Sequence, residues 1–180
     1  MEVEIGEKKF RLMITADEIA LRVNEIAQKI NQQEWPEPPL LICILKGSFM
    51  FTADLVRKLQ IPHSLEFLQL SSYANNLTSS GEVKGLDSFP VSVQNRPILI
   101  LEDIVDTGLT IESLRNHLLH QGVVSVQVAC LLFKPGSFKG SILPEFCGQS
   151  IPDNFVIGYG MDVAEQGRNL PDIYVLETTN

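Results

Sequence analysis

The chain has 180 residues, 44% of them hydrophobic, and a formal net charge of −8. That length and apolar content suffice to bury a full core in one domain, residues 1–180, without disulfides or a structural metal. The acidic balance, with no dense Lys/Arg run, disfavours nucleic acid and anionic membrane as partners, so any anion site must be built locally.

The opening decapeptide, MEVEIGEKKF, carries acids where a secretion signal needs bases. No apolar run approaches the roughly 20 residues of a membrane span, and a cytoplasmic protein is expected. Cys43, Cys130 and Cys147 are odd in number, and the first two sit inside apolar runs, so they read as reduced thiols with no disulfide framework.

Ile14, Thr15, Glu18 and Ile19 spell a capping box with a hydrophobic staple, and Ile19, Val23, Ile26 and Ile30 repeat at helical spacing. A first helix is predicted over residues 16–31. After the Pro-rich turn at 35–39, the continuous apolar run 40–45 suits a strand buried on both faces. Residues 48–59 read as a helix and 65–70 as an extended segment. The polar stretch 71–85 is longer than a connector needs and reads as a lid or binding loop. Strands follow at 98–101, 123–133 and 155–158, with a helix over 111–120 closed by Gly122. The alternation of strand and helix predicts an α/β fold with a mostly parallel sheet flanked by helices.

Polar residues fall where these strands end: Lys46-Gly47, Ser72-Tyr73, Glu102 to Thr110, Lys134, and Tyr159 to Asp162. In an open α/β sheet that edge binds ligands. The richest segment is ILILEDIVDTGLT at 98–110, a strand that delivers two acids, then a turn, then a helix. The unpaired N–H groups at the helix start favour an anion, and Gly108 lets a phosphate approach the backbone. Glu102 and Asp103 repel phosphate but suit vicinal hydroxyls or a divalent cation. A phosphorylated ribose meets both demands.

EDIVDTGLT closely resembles the phosphoribosyl pyrophosphate signature of the type I phosphoribosyltransferases. Four further segments resemble hypoxanthine (guanine) phosphoribosyltransferases: LKGSF at 45–49, SSYANNLTSSGEVK at 71–84, LLFKP at 131–135, and NFVIGYGMDVAEQGRNLPDIYVL at 154–176. The resemblance implies the type I phosphoribosyltransferase fold with a small hood built from N-terminal and C-terminal segments. It implies transfer of phosphoribosyl from phosphoribosyl pyrophosphate to hypoxanthine, with guanine as a second acceptor, in a magnesium-dependent homodimer or homotetramer. The 5-phosphate falls to Asp106, Thr107, Gly108, Leu109 and Thr110, and the ribose to Glu102 and Asp103. Pyrophosphate falls to Lys46, Gly47, Ser72, Tyr73 and Arg168, with Ser72 and Tyr73 closing over it. The 6-oxopurine base falls to Lys134, Phe155, Val156 and Asp162, and the metal to Glu102, Asp103 and Asp162. Asp106 is the acid/base residue. Where relatives usually carry aromatics, this chain has Val163 and Gly167, departures that bear on the pyrophosphate side.

Each assignment has a plainer counterpart. Asp106 alone could merely cap a helix, Lys134 could be a solvated lysine at a strand end, and Phe155 could be core. Asp162 and Arg168 could be a surface ion pair. His117 and His120 have metal-compatible spacing, but they lie in a last helical turn, where histidine complements the dipole. No GxxxxGK[ST] is present, and Gly158-x-Gly160 is an incomplete dinucleotide fingerprint, so kinase and dehydrogenase readings fail. Two alternatives stay open: a xanthine-preferring or guanine-preferring relative, and a non-catalytic regulator that senses phosphoribosyl pyrophosphate.

Overall fold

The structure, a computed structural model, describes residues 2–70 and 91–177. Ser72, Tyr73 and the loop expected at 71–85 lie outside the described residues.

Two sheets share the chain. The larger is built from β3 (Leu40–Leu45), β4 (Ser64–Gln69), β5 (Pro97–Val105), β6 (Ser125–Phe133) and β7 (Phe146–Ser150), in the order β4-β3-β5-β6-β7 with every pair parallel. The strands are continuous apolar runs because both faces are covered. Leu41, Leu99, Leu101 and Leu131 pack on one side against α1 (Ala16–Gln32) and α2 (Phe49–Val56). Leu40, Ile42, Ile98, Ile100 and Val128 pack on the other against α3 (Leu109–His120).

Local chemistry sets the helix ends. Thr15 accepts a hydrogen bond from the Glu18 N–H at 3.3 Å while Glu18 accepts from the Thr15 N–H at 2.8 Å, closing the expected capping box. Ile19, Val23, Ile26 and Ile30 then form the buried stripe of α1. Helix α3 starts at Leu109, two residues earlier than its periodicity predicts, because Gly108 caps it in the left-handed region at φ 77°. Glycine adopts that conformation without steric cost. A Cβ there would also stand 2.4 Å from Phe138 Cε2.

Strand β5 runs on to Val105, past the expected end at Leu101, because Val105 joins the α3-side core and pairs with Phe133 of β6. Glu102 and Asp103 therefore belong to the strand's carboxyl end and do not precede the turn as a free pair. The edge strand β7, FCGQS, escaped the sequence reading because its glycine and short length give no period.

The second sheet is antiparallel, in the order β1-β2-β9-β8, with β1 (Glu2–Ile5), β2 (Lys8–Ile14), β8 (Val156–Ile157) and β9 (Ile173–Leu176). It is the hood, made from the two ends of the chain. Its core is Phe10, Ile157 and Tyr174, with Phe10 paired to Leu176 in register. Among the described residues no helix is long and apolar enough to cross a membrane.

Candidate active site

Two adjoining cavities open where β3, β5 and β6 end, and the hood roofs one of them. The first, about 320 Å³, is lined by Lys46, Gly47, Asp103, Asp106, Lys134, Phe155, Val156, Asp162 and Arg168 among others. The second, about 280 Å³, is lined by Glu102, Asp103, Asp106, Thr107, Gly108 and Thr110 among others. Asp103 and Asp106 border both. The described candidate residues thus converge on one cleft, with Leu109 at its helix start, 44% exposed.

The floor of the second cavity is the start of α3. Its first intrahelical bond runs from the Glu112 N–H to the Gly108 carbonyl at 2.9 Å, so the N–H groups ahead of it have no acceptor within the helix. The helix dipole adds partial positive charge at the same point. Beside this anion cradle stand the two acids. Desolvation first, and then the neighbouring Asp103 charge, push the Glu102 carboxyl well above the usual carboxylate range. Asp103 is buried and accepts from the Ile104 N–H at 2.9 Å.

Asp103 also explains Gly47. A Cβ at residue 47 would sit 1.9 Å from Asp103 Oδ2, so only glycine lets the loop after β3 lie against that carboxylate. The Gly47 carbonyl in turn lies under Gly160, where a Cβ would come within 2.1 Å of it. The peptide bond between Leu45 and Lys46 is cis. Ser48 ties the loop down by donating to the Ile44 carbonyl at 2.5 Å.

The base side centres on Asp106. Its Oδ2 accepts from Lys134 Nζ at 2.8 Å and its Oδ1 accepts from Ser137 Oγ at 2.5 Å. Burial works to raise the Asp106 carboxyl, but the Lys134 and Ser137 hydrogen bonds and the Lys134 charge outweigh it and hold the group below its ordinary value. Asp106 is therefore ionised near neutrality. Lys134 is no solvated strand-end lysine, since its side chain is only 9% exposed. Phe155 is not core either: it is 45% exposed, with Phe10 at 6.4 Å on one side. Val156 is buried and pairs with Val175.

On the remaining side the cations are paired with acids. Arg168 donates to the Gly160 carbonyl and contacts Asp162 Oδ1, each at 2.8 Å. Asp162 Oδ2 accepts from the Glu165 N–H at 2.8 Å. Glu165 then reaches Lys46 at 2.9 Å and Arg168 at 3.5 Å. Gly167 has φ 92°, the left-handed region that disfavours an aromatic, so the departure at this position follows the backbone.

Glu165, Ser137 and Asp153 were not found from the sequence. Glu165 meets Lys46 across 119 residues, a separation that no local pattern reports. Ser137 lies in a loop with no periodicity.

A phosphate cradle, a carboxylate pair and a base-sized cavity with one buried ammonium together define a site for a sugar phosphate and a planar acceptor. In agreement, the family model of the phosphoribosyl transferase domain matches residues 13–165, and the chain belongs to that family. Its relatives include hypoxanthine-guanine phosphoribosyltransferases of Bacillus subtilis, 40% identical over 93% of both chains, and of Aquifex aeolicus, 37% identical over 97% of this chain and 98% of the relative. Among solved structures, a hypoxanthine phosphoribosyltransferase of Staphylococcus aureus matches with a TM-score of 0.86 at 35% identity, over 93% of this chain and 91% of that one.

Proposed function

We propose that the protein is a purine salvage enzyme that transfers 5-phosphoribosyl from phosphoribosyl pyrophosphate to N9 of hypoxanthine and guanine, giving IMP or GMP and pyrophosphate. The observation that carries this reading is the Lys134–Asp106 pair facing a cavity that adjoins the phosphate cradle at α3. One of the three donors on the Lys134 ammonium is spent on Asp106, and the others remain to meet the 6-oxo group of a purine.

The division of labour we infer rests on the family resemblance and, for the described residues, on their place in the cleft. Thr107, Gly108, Leu109 and Thr110 hold the 5-phosphate, and Glu102 and Asp103 hold the ribose hydroxyls. Lys46, Gly47 and Arg168 receive the pyrophosphate, for which Arg168 must exchange its carboxylate partners. Ser72 and Tyr73 are assigned to the same end. Phe155 stacks on the base and Val156 offers backbone groups to its edge. The transition state develops positive charge at ribose C1, so an ionised Asp106 stabilises it electrostatically and accepts the purine proton. Holding both partners in line inside a closed cleft supplies the rest.

Among the described residues no group of three or more His, Cys, Asp or Glu is arranged to cage a metal ion. The residues present suit magnesium in its other mode, in which one or two carboxylates are completed by phosphoryl oxygens and water. Glu102, Asp103 and Asp162 are the carboxylates that would hold it. Magnesium supplies charge neutralisation of the departing diphosphate. We read residues 1–180 as one catalytic unit that works as a homodimer or homotetramer, which sedimentation at micromolar concentration checks.

The deciding experiment is a steady-state assay with phosphoribosyl pyrophosphate, magnesium and each of hypoxanthine, guanine, xanthine and adenine. Turnover of hypoxanthine and guanine with adenine rejected is expected. A preference for xanthine would reassign the base pocket, and binding without turnover would make the protein a sensor.

A further inference from the structure

Asp106 has two carboxylate oxygens, and Lys134 occupies only one of them. The other is held by Ser137 Oγ at 2.5 Å, on the loop that follows β6. Ser137 Oγ also lies 3.1 Å from Asp153 Oδ1, in the segment before β8. A hydroxyl has one proton to donate. Facing two carboxylates that can only accept, it donates mainly to the nearer, Asp106, and Asp153 competes for the same proton.

The position of this hydroxyl is fixed by the loop around it. The Lys134 N–H donates to the Val105 carbonyl at 3.0 Å and the Lys139 N–H to the Thr107 carbonyl at 2.9 Å, so the loop is laced to the phosphate turn at both of its ends. Between them, a Cβ at Gly136 would stand 2.4 Å from Asp153 Oδ2, which presses the turn against that acid. Phe138 packs under Gly108 and meets the Phe133 ring edge-on at 5.3 Å. A serine set among so many constraints has little freedom to turn away.

We propose that Ser137 is a positioning residue for Asp106: its hydroxyl holds the second carboxylate oxygen and orients the group toward the acceptor base, while Asp153 competes for the same hydroxyl proton. The proposal rests on the role given to Asp106 above. The charged groups that surround Asp106 are Lys134 just after β6, Asp153 from the segment before β8, Glu102 and Asp103 on the strand that leads to it, and Lys46, Asp162 and Arg168 across the cavity. The first alone is in ion-pair contact with it among the described residues. Ser137 thus adds the second hydrogen bond that favours the charged form.

The test uses the full chain with Ser137→Ala, Ser137→Thr and Asp153→Asn. In Ser137→Ala, the acid limb of kcat/KM for hypoxanthine moves to higher pH. Activity below that limb falls about fivefold, the worth of one hydrogen bond, with KM for phosphoribosyl pyrophosphate unchanged. Ser137→Thr restores the wild-type profile, which a merely space-filling role would not require. Asp153→Asn moves the limb the opposite way, because the competitor has gone. A carbon-13 titration of the Asp106 carboxyl in the unliganded protein reads the same shifts without any turnover. Profiles and titrations of Ser137→Ala that superimpose on wild type would overturn the proposal, as would a threonine variant no better than alanine. If instead Asp106→Asn kept full transfer while the Ser137→Ala titration shifted as expected, the role of Asp106 in transfer would fall and its pairing with Ser137 would stand.

Discussion

Lys134 spends one of its donors on Asp106, and under the proposed function a second meets the base, which shapes what Asp106 can do. With Lys134 and Ser137 both donating to it, Asp106 is a weak base near neutrality and a strong fixed negative charge. Its stabilising pair with Lys134 is present above the ordinary aspartate range and is lost as pH falls through the lowered value. Asp106→Asn should fold as wild type and bind phosphoribosyl pyrophosphate, while turnover with hypoxanthine drops by about 10² to 10⁴, the usual worth of acid–base catalysis. Near-wild-type turnover would leave Asp106 as a structural partner of Lys134 and Ser137 and nothing more. Glu165 supports a second expectation. Its carboxylate lies between Lys46 and Arg168, where those cations would otherwise meet an anion, and the Lys46 hydrogen bond holds it below its ordinary value. Glu165→Gln should tighten binding of inorganic pyrophosphate a few-fold, a modest gain because the pairs are exposed. Calorimetry with magnesium pyrophosphate reads it, and unchanged or weaker binding would show that Glu165 does not compete. The positions of Asp106 and Lys134 were legible because each follows a strand end in sequence, while Arg168 was reached only through the family resemblance. Their partners Ser137 and Glu165 were not, because those contacts are made between loops.

The elements were readable in proportion to their period. The stripe of α1 and the solid apolar run of β3 carry strong signals, and both match the structure closely: α1 spans Ala16–Gln32 and β3 spans Leu40–Leu45. The end of β5 was misjudged because Glu102 and Asp103 look like a loop beginning, whereas Ile104 and Val105 resume pairing with β6. A strand that carries its acids close to its end holds them more rigidly than a turn could, which suits the ribose-orienting role proposed for them. The loop after β3 depends on the same acids. Gly47→Ala would drive a methyl into Asp103 and should cost about 1–3 kcal/mol as an overpacked contact. Because the clash is at the site, turnover should fall further than the melting temperature implies. A variant with wild-type melting and wild-type kinetics would mean that the loop has room the structure does not show.

At the scale of the molecule, the parallel sheet and the hood do different work. The sheet supplies the phosphate cradle and the acids, and the hood supplies Phe155 and Val156. Phe10, fully buried in the hood core, stands beside the Phe155 ring at 6.4 Å. Phe10→Leu keeps an apolar core residue at a cost under about 1.5 kcal/mol. It should raise KM for purine while leaving KM for phosphoribosyl pyrophosphate alone, and equal changes in both would refute separate duties for the two sheets. The hood was foreseeable only in outline, since no local pattern in residues 8–14 names the partner of β2.

That partner is β9, and the pairing of Phe10 with Leu176 joins segments more than 160 residues apart. On the ribosome, the five strands of the parallel sheet are all available once Ser150 has emerged, yet β2 must wait with β1 alone until β9 follows. The parallel sheet that carries the α3 cradle can therefore assemble before the hood that carries Phe155 and Val156. A nascent chain therefore passes through a stage in which every strand beneath the α3 cradle has emerged while β9, the strand that closes the hood, has not.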